Sequence, residues 1–278
     1  MQERIFAIIS DIHSNLEALG AVLADIEKRG VKEIICLGDV LGYGPDPKEC
    51  LDLVRERCRV CLMGNHDHAV LFEPSNFNLA AERACYWTRQ LLENEPDREL
   101  RNTRWRYLGS LPIRYQDHDV LFVHASPRRP INEYIFPEDV FTNPQKVMAN
   151  FERLDRRICF VGHTHQPGVF LDDPYFDPPN ELPDAPFFEV QGERAIINVG
   201  SVGQPRDRDP RASYVVVHDK AEDDPVDPTE SLVAAALNCS VEQVEFVRVE
   251  YDLDATAKKI IAEPALDDLL GARLFDGR

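Results

Sequence analysis

Three times within the first 64 residues an unbroken apolar run ends in serine or glycine and is followed closely by acidic, amide or imidazole side chains. The runs are RIFAIIS (4–10), EIICLG (33–38) and RVCLMG (59–64). Between them lie NLEALGAVLADIEKRG (15–30) and DPKECLDLVRER (46–57), whose apolar residues recur at helical spacing. Strands without polar alternation belong in sheets covered on both faces, and amphipathic segments between them are the crossovers that parallel strands require. The order β-α-β-α-β predicts a parallel sheet with right-handed connections.

Residues 77–108 read as helices with little β signal, placed to cap one end of that sheet. Strand-like runs follow: IRY, VLFVHAS, ICFVGHT, GVFLDD, AIINVGS, SYVVVHD and VEFVRVEY. Their alternation predicts a second, mostly antiparallel sheet packed on the first. The Pro-rich, acidic segments 171–187 and 219–230 read as surface loops. The 278 residues are expected to form one domain, with the helical cap inserted at about 70–110.

The chain has 49 acidic and 31 basic residues, a formal net charge of −18. Such a field repels long nucleic acids and anionic membranes, so an anionic substrate needs local cations or placed arginines. No apolar run approaches the roughly 20 residues of a membrane span, and the first residues lack the pattern of a signal peptide, which makes the cytoplasm the expected location. The seven cysteines are irregularly spaced and fit reduced thiols. Cys58 and Cys61 form a CxxC, but a strand there would point them to opposite faces, which gives them a structural role.

Chemistry-bearing residues gather where the apolar runs end. Asp11 and His13 follow the first, Asp39 the second, and Asn65, His66 and Asp67 the third; His124 ends VLFVH, and His163 and His165 follow ICFVG. Ligands of open α/β sheets collect beyond the carboxyl ends of strands, so these five segments are positioned to converge.

Taken as a set, D-x-H, G-D, G-N-H-D, V-H-A-S and G-H-T-H resemble the calcineurin-like metallophosphoesterase superfamily, from Arg4 to about Asp207. The resemblance implies an α/β fold in which a two-sheet β-sandwich is flanked by helices, in four layers, with two metal ions at the strand ends. It implies that Asp11, His13 and His165 hold one ion, that Asn65, His124 and His163 hold the other, and that Asp39 bridges them. Gly162 would then permit the backbone bend that sends His163 and His165 to different ions. Mixed carboxylate, amide and imidazole ligands suit Mn²⁺, Fe, Co²⁺, Ni²⁺ or Zn²⁺. His66 resembles the family's catalytic histidine, which serves the leaving group, with Asp67 either orienting it or capping the next helix. His68, His118 and His218 match no motif and are expected to be structural or on the surface.

Where the Ser/Thr protein phosphatase branch reads G-D-x-V-D-R-G, this chain reads GDVLGYG, with Gly42 and Tyr43 in place of Asp and Arg. The stretch INVGSVGQPRDRDPRASY (197–214) looks instead like the small bacterial and archaeal branch, which includes phosphodiesterases and dinucleoside polyphosphate hydrolases. Arg206, Asn198 and Ser201 in that stretch, Arg128 after His124, and Tyr43 are the candidate substrate contacts, and Arg208, Arg211, Arg129 and a basic helix face of Arg98, Arg101 and Arg104 are weaker ones. The expected activity is hydrolysis of phosphodiesters or nucleotide polyphosphates by metal-activated water. The alternatives are a weakly active scaffold that binds partners, and a phosphomonoesterase or protein phosphatase.

Overall fold

The computed structural model describes residues 3–220 and 240–278. The β-α-β-α-β start is β1 (Glu3–Ile9), α1 (Leu16–Lys28), β2 (Glu33–Cys36), α2 (Pro47–Arg57) and β3 (Val60–Cys61), and β2 pairs in parallel with both β1 and β3. Asn15 caps α1 by accepting the Ala18 N–H at 3.0 Å, which satisfies one of the donors orphaned at a helix start. Three helices follow: α3 (Asn65–Leu71), α4 (Leu79–Glu93) and α5 (Arg98–Ser110). The last two fall where the sequence predicts helices; both pack against α2 and α3.

The second half contributes β4 (Arg114–Asp117), β5 (Val120–Val123), α6 (Asp139–Thr142), α7 (Pro144–Arg153), β6 (Ile158–Val161), β7 (Gly168–Leu171), β8 (Tyr175–Asp177), β9 (Phe187–Glu189), β10 (Ala195–Asn198), β11 (Ala212–Lys220) and β12 (Val241–Val249). Helices α8 (Leu253–Ala262) and α9 (Asp268–Ala272) and a 3₁₀ turn (Arg273–Asp276) close the chain. Two six-stranded sheets result, in the orders β3-β2-β1-β11-β12-β9 and β4-β5-β6-β10-β7-β8.

The expected division of strands between sheets needs correction. SYVVVHD and VEFVRVEY are β11 and β12, and they extend the first sheet by antiparallel pairing to β1. The second sheet is mixed: β5, β6 and β10 run parallel, flanked by antiparallel β4, β7 and β8. Apolar runs state that a strand is buried without stating which neighbour it pairs with. The 171–187 segment, expected as a loop, holds β8 and the start of β9. Of the 219–230 segment, 219 and 220 end β11 and the rest lies outside the described residues.

Alternate residues of one strand serve two cores. Phe6 and Ile8 point between the sheets, with Phe122, Phe160, Val215 and Val217, whereas Ala7 and Ile9 face α1 with Leu19 and Val22. On the far side, Leu121 and Val123 of β5 pack on Val147 and Phe151 of α7. The four layers are therefore helix, sheet, sheet, helix, and a strand covered on both faces needs no polar alternation. A further cluster joins Tyr43 and the α4 residues Ala81 and Ala84 to Ile260, Leu270 and Leu274 near the C-terminus. Among the described residues no helix is long and apolar enough to cross a membrane.

Candidate metal centre

Every candidate ligand sits just past the carboxyl end of a parallel strand: Asp11 and His13 after β1, Asp39 after β2, Asn65 after β3, His124 after β5, and His163 and His165 after β6. Five of the seven hold left-handed backbone, with φ of 53° at Asp11, 49° at His13, 52° at Asp39, 65° at His163 and 61° at His165. Each such residue costs roughly 1 kcal/mol or more relative to ordinary backbone. Strain concentrated in these loops points to a function that requires their shape.

A lattice of hydrogen bonds holds that shape. The Asp11 and His13 amides donate to the carbonyls of Gly38 (3.0 Å) and Asp39 (2.9 Å), and the His163 amide donates to Asp11 Oδ2 (2.9 Å). Asp39 Oδ1 accepts the His66 amide at 2.8 Å. Each carboxylate thus spends one oxygen on a backbone N–H and turns the other toward the histidines. Asp11 Oδ1 lies 3.1 Å from His165 Nε2, and Asp39 Oδ2 lies 3.7 Å from His13 Nε2 and 3.5 Å from His124 Nε2.

The ring nitrogens show what the site is built to hold. His13 Nδ1 donates to the Leu41 carbonyl (3.1 Å) and His165 Nδ1 to the Gln204 carbonyl (2.5 Å), because a carbonyl can only accept. Both neutral rings then present Nε2 lone pairs, and these face each other at 3.2 Å. Across Asp39 a second set closes up, with His124 Nε2 3.1 Å from Asn65 Oδ1 and 3.2 Å from His163 Nδ1. Asp11 Oδ1 is buried without a hydrogen-bond donor. Lone pairs crowded as closely as those of His13 and His165 are reconciled by a cation, and carbonyls that fix the outer nitrogen are the usual support of metal-binding histidines.

Ionisation is shaped to the same end. Burial disfavours charge at both Asp11 and His124, but their partners outweigh it: contact with His165, and then His124, holds Asp11 at about 2, and Asp39 holds His124 up at about 9. Burial lowers His13 well below the ordinary imidazole value, with His66, His165 and Arg206 acting the same way. Two groups that could each hold a metal ion are therefore present, Asp11 with His13 and His165, and Asp39 with His124 and His163. A third, overlapping combination places His66 with His13 and Asp39.

The sequence matches the calcineurin-like phosphoesterase superfamily domain over residues 5–222. The chain belongs to that superfamily. An uncharacterized protein of Methanocaldococcus jannaschii is 37% identical over 288 residues, spanning all of both chains. A metallophosphoesterase crystal structure from Sphaerobacter thermophilus is 37% identical with a TM-score of 0.76, again over all of both chains. A hypothetical protein from Pyrococcus horikoshii shares the fold at 19% identity, with a TM-score of 0.69, over 99% of this chain and 98% of its own.

Glycines in this calcineurin-like chain act differently from expectation. The bends at the G-H-T-H turn are made by His163 and His165 themselves. Gly162 is needed because a Cβ there would strike Ser10 Oγ and Asp11 Oδ2. Gly42, left-handed at φ +87°, leaves room for the His66 ring, since a Cβ would meet its Nδ1. Asp67 sits at the third position of α3 and accepts from the Gly64 and Leu41 amides, both at 3.1 Å. It therefore caps its helix and ties down the loop after Asp39, while His66 Nδ1 faces Cys85 Sγ at 3.7 Å.

Two candidate substrate contacts are fully engaged inside the protein. Asn198 donates to the Gly162 carbonyl (2.7 Å) and Thr164 Oγ1 (2.8 Å), which braces the histidine turn. Ser201 donates to the Asp11 carbonyl and accepts the Gln204 amide, both at 2.8 Å. The SVGQ segment is thus scaffolding for the Asp11 loop, and Gly203 lies so close to Ile12 that a Cβ would overlap its carbonyl oxygen. Gly203→Ala should cost about 1–3 kcal/mol, several degrees of Tm. It should also lower metal retention by elemental analysis. An unchanged Tm would show that the two loops are free to separate.

Arg128 clamps Glu133, which also binds Ser126 and Asn150, so its guanidinium is committed; Arg129 lines the cavity instead. Arg104 is buried against Asp52 and Glu95 and anchors α5 to α2, which dissolves the expected basic face. Arg211 pairs with Asp209. Tyr43 is 7% exposed and packs against α4, its ring centroid 4.6 Å from His13 and 4.4 Å from His66. His118 is exposed, as expected, but His68 lines the cavity. The cysteine pair also differs: β3 begins at Val60, so Cys58 ends α2, and Cys61 is buried in the core. Sequence reasoning missed Tyr134, whose ring stacks on His163 at 3.8 Å, and Arg273, whose guanidinium lies 4.5 Å over Tyr43. Neither belongs to a motif that could have signalled it.

Proposed function

We propose that this chain is a dinuclear metal-dependent phosphoesterase acting on phosphodiesters or nucleotide polyphosphates. One observation carries the reading: the Asp11–His13–His165 group lies next to the Asp39–His124–His163 group, with Asp39 Oδ2 3.7 Å from His13 Nε2, beside a cavity of about 480 Å³ lined by Tyr43, Asn65, His66, Phe77, Tyr134 and His163. That volume suits a small molecule. Asp11, His13 and His165 would hold one divalent ion and Asn65, His124 and His163 the other, with Asp39 between them. Ions so held would supply positive charge to offset phosphate oxygens and would lower the pKa of water.

The chain's own residues supply the remaining parts. His66 is buried between Tyr43 and Phe77, with ring centroids 4.4 Å and 4.7 Å away, so its imidazole has one orientation. Burial lowers its pKa to about 4, partly offset by Asp39. It therefore stands neutral beside the cavity, able to donate a hydrogen bond to a leaving oxygen. Tyr134, stacked on His163, and Phe77, packed on His66, give the cavity aromatic walls, which suits a substrate with a planar leaving group.

Hydrolysis of bis(4-nitrophenyl) phosphate with added Mn²⁺ tests the reading. Turnover should appear with metal, vanish after exhaustive chelation, and return when metal is restored. Turnover that survives chelation removes the proposal, and metal binding without hydrolysis of any phosphoester favours the scaffold alternative.

A further inference from the structure

Two arginines meet beside the metal centre without a carboxylate between them. Arg206 follows the SVGQP segment and donates its backbone N–H to the His165 carbonyl at 3.2 Å. Arg273 comes from the 3₁₀ turn at the far end of the chain, beyond the matched family domain. Both guanidinium groups lie against the Tyr43 ring, 5.8 Å and 4.5 Å from its centroid. Both donate to Gln204 Oε1, at 2.9 Å and 2.5 Å. The same Gln204 receives His165 Nδ1 on its carbonyl, so one residue joins the arginine pair to a candidate metal ligand.

The pair is costly as it stands. Arg273 Nε is buried with no hydrogen-bond partner, and among the described residues neither arginine has an ion-pair contact with a carboxylate. Burial and then the neighbouring Arg206 depress the Arg273 pKa to about 10. Asp267 acts on Arg273 only through space, whereas Arg128, Arg104, Arg211 and Arg248 each contact a carboxylate directly. Like charges held together in a partly buried place need an anion to offset them. Planar guanidinium forks match the oxygens of phosphate. The Tyr43 ring that both guanidinium groups lie against has its centroid 4.6 Å from His13 and 4.4 Å from His66, which puts the fork next to the candidate ligands.

We infer that Arg206 and Arg273, joined through Gln204, form a subsite for a second phosphate group of the substrate, one linked to the phosphate that reacts. The inference rests on the phosphoesterase reading and narrows it to substrates with at least two linked phosphates. The Tyr43 face keeps both guanidinium groups in register, and Gln204 sets their distance from the His165 loop.

The test uses the full chain with excess Mn²⁺, bis(4-nitrophenyl) phosphate as reporter, and two competitors, inorganic phosphate and imidodiphosphate. The measured quantity is the ratio of the inhibition constant for imidodiphosphate to that for phosphate. Arg273→Gln should raise this ratio about tenfold or more, the loss expected for one charge-assisted hydrogen bond, and Arg206→Gln should do the same. Arg273→Lys keeps the stem and charge but not the fork, so it should give a smaller rise; it also serves if Arg273→Gln does not fold. An unchanged ratio in these variants overturns the subsite. If the reporter is not hydrolysed at all, the phosphoesterase reading fails separately. Calorimetric titration of imidodiphosphate into metal-free protein then decides the subsite: binding weakened by Arg273→Lys supports it, and equal binding overturns it.

Discussion

Asp39→Ala should abolish more activity than the loss of any other candidate ligand, by about 10³-fold or more relative to the intact protein. The reason lies in how its two oxygens are used. Oδ1 accepts the His66 amide at 2.8 Å and so fixes the start of α3, while Oδ2 lies 3.7 Å from His13 Nε2 and 3.5 Å from His124 Nε2. If Asp39 stands between the two ions as proposed, removing the carboxylate takes a ligand from both at once, and it leaves the His66 amide without its acceptor. Asn65→Ala, by contrast, removes one oxygen from one group, where its Oδ1 lies 3.1 Å from His124 Nε2, and should cost about 10–100-fold. Elemental analysis should find up to two transition-metal ions per chain in the intact protein and a loss of both in Asp39→Ala. Because Asp39 has φ of 52°, alanine also carries a backbone penalty, so Asp39→Asn, which tolerates that conformation, separates charge from fold. An Asp39→Asn protein that keeps both metals and loses no more activity than Asn65→Ala would show that Asp39 is not shared.

The fold and the places where the candidate ligands gather were legible in the sequence for one physical reason. Parallel strands covered on both faces must be apolar throughout, so they stand out, and in such sheets the ligand-bearing loops lie just past their carboxyl ends. Asp11, Asp39, Asn65, His124 and His163 each follow a strand that sequence alone could locate. Strand partners were not legible, because nothing in the sequences of β11 and β12 marks which sheet receives them. The roles of polar residues in 197–214 were misread for a related reason. Asn198 and Ser201 have side chains that suit phosphate, yet in the fold the nearest groups in need of partners are the Gly162 and Asp11 carbonyls. Short polar side chains beside strained loops are consumed by backbone hydrogen bonds, whereas Arg206 reaches past them. Arg273 was invisible because its significance depends on a contact with Tyr43 across 230 residues of chain.

His66→Asn should lower kcat by about 10²-fold or more while the metal content holds. His66 lines the cavity, and its ring is held by Tyr43, Phe77 and His13, the last at 4.8 Å between centroids. Its neighbour Asp67 is occupied with the Gly64 and Leu41 amides, so no carboxylate braces the imidazole; the Cys85 thiol at 3.7 Å from Nδ1 and the missing side chain of Gly42 set its orientation instead. Burial raises the Cys85 pKa far above its ordinary value, so the thiol stays protonated and can donate to Nδ1, which leaves the imidazole proton on Nε2 for a leaving oxygen. On that account the effect of His66→Asn depends on the leaving group. An alkoxide leaving group needs the donated hydrogen bond, and nitrophenolate does not, so the loss should be larger for an alkyl ester than for its nitrophenyl counterpart. Cys85→Ala should move the same ratio in the same direction by a smaller factor. The geometry also permits His66 to join His13 and Asp39 around an ion, and metal analysis separates the two roles. Loss of an ion in His66→Asn, or equal losses for both leaving groups, would make His66 a ligand rather than a partner of the departing oxygen.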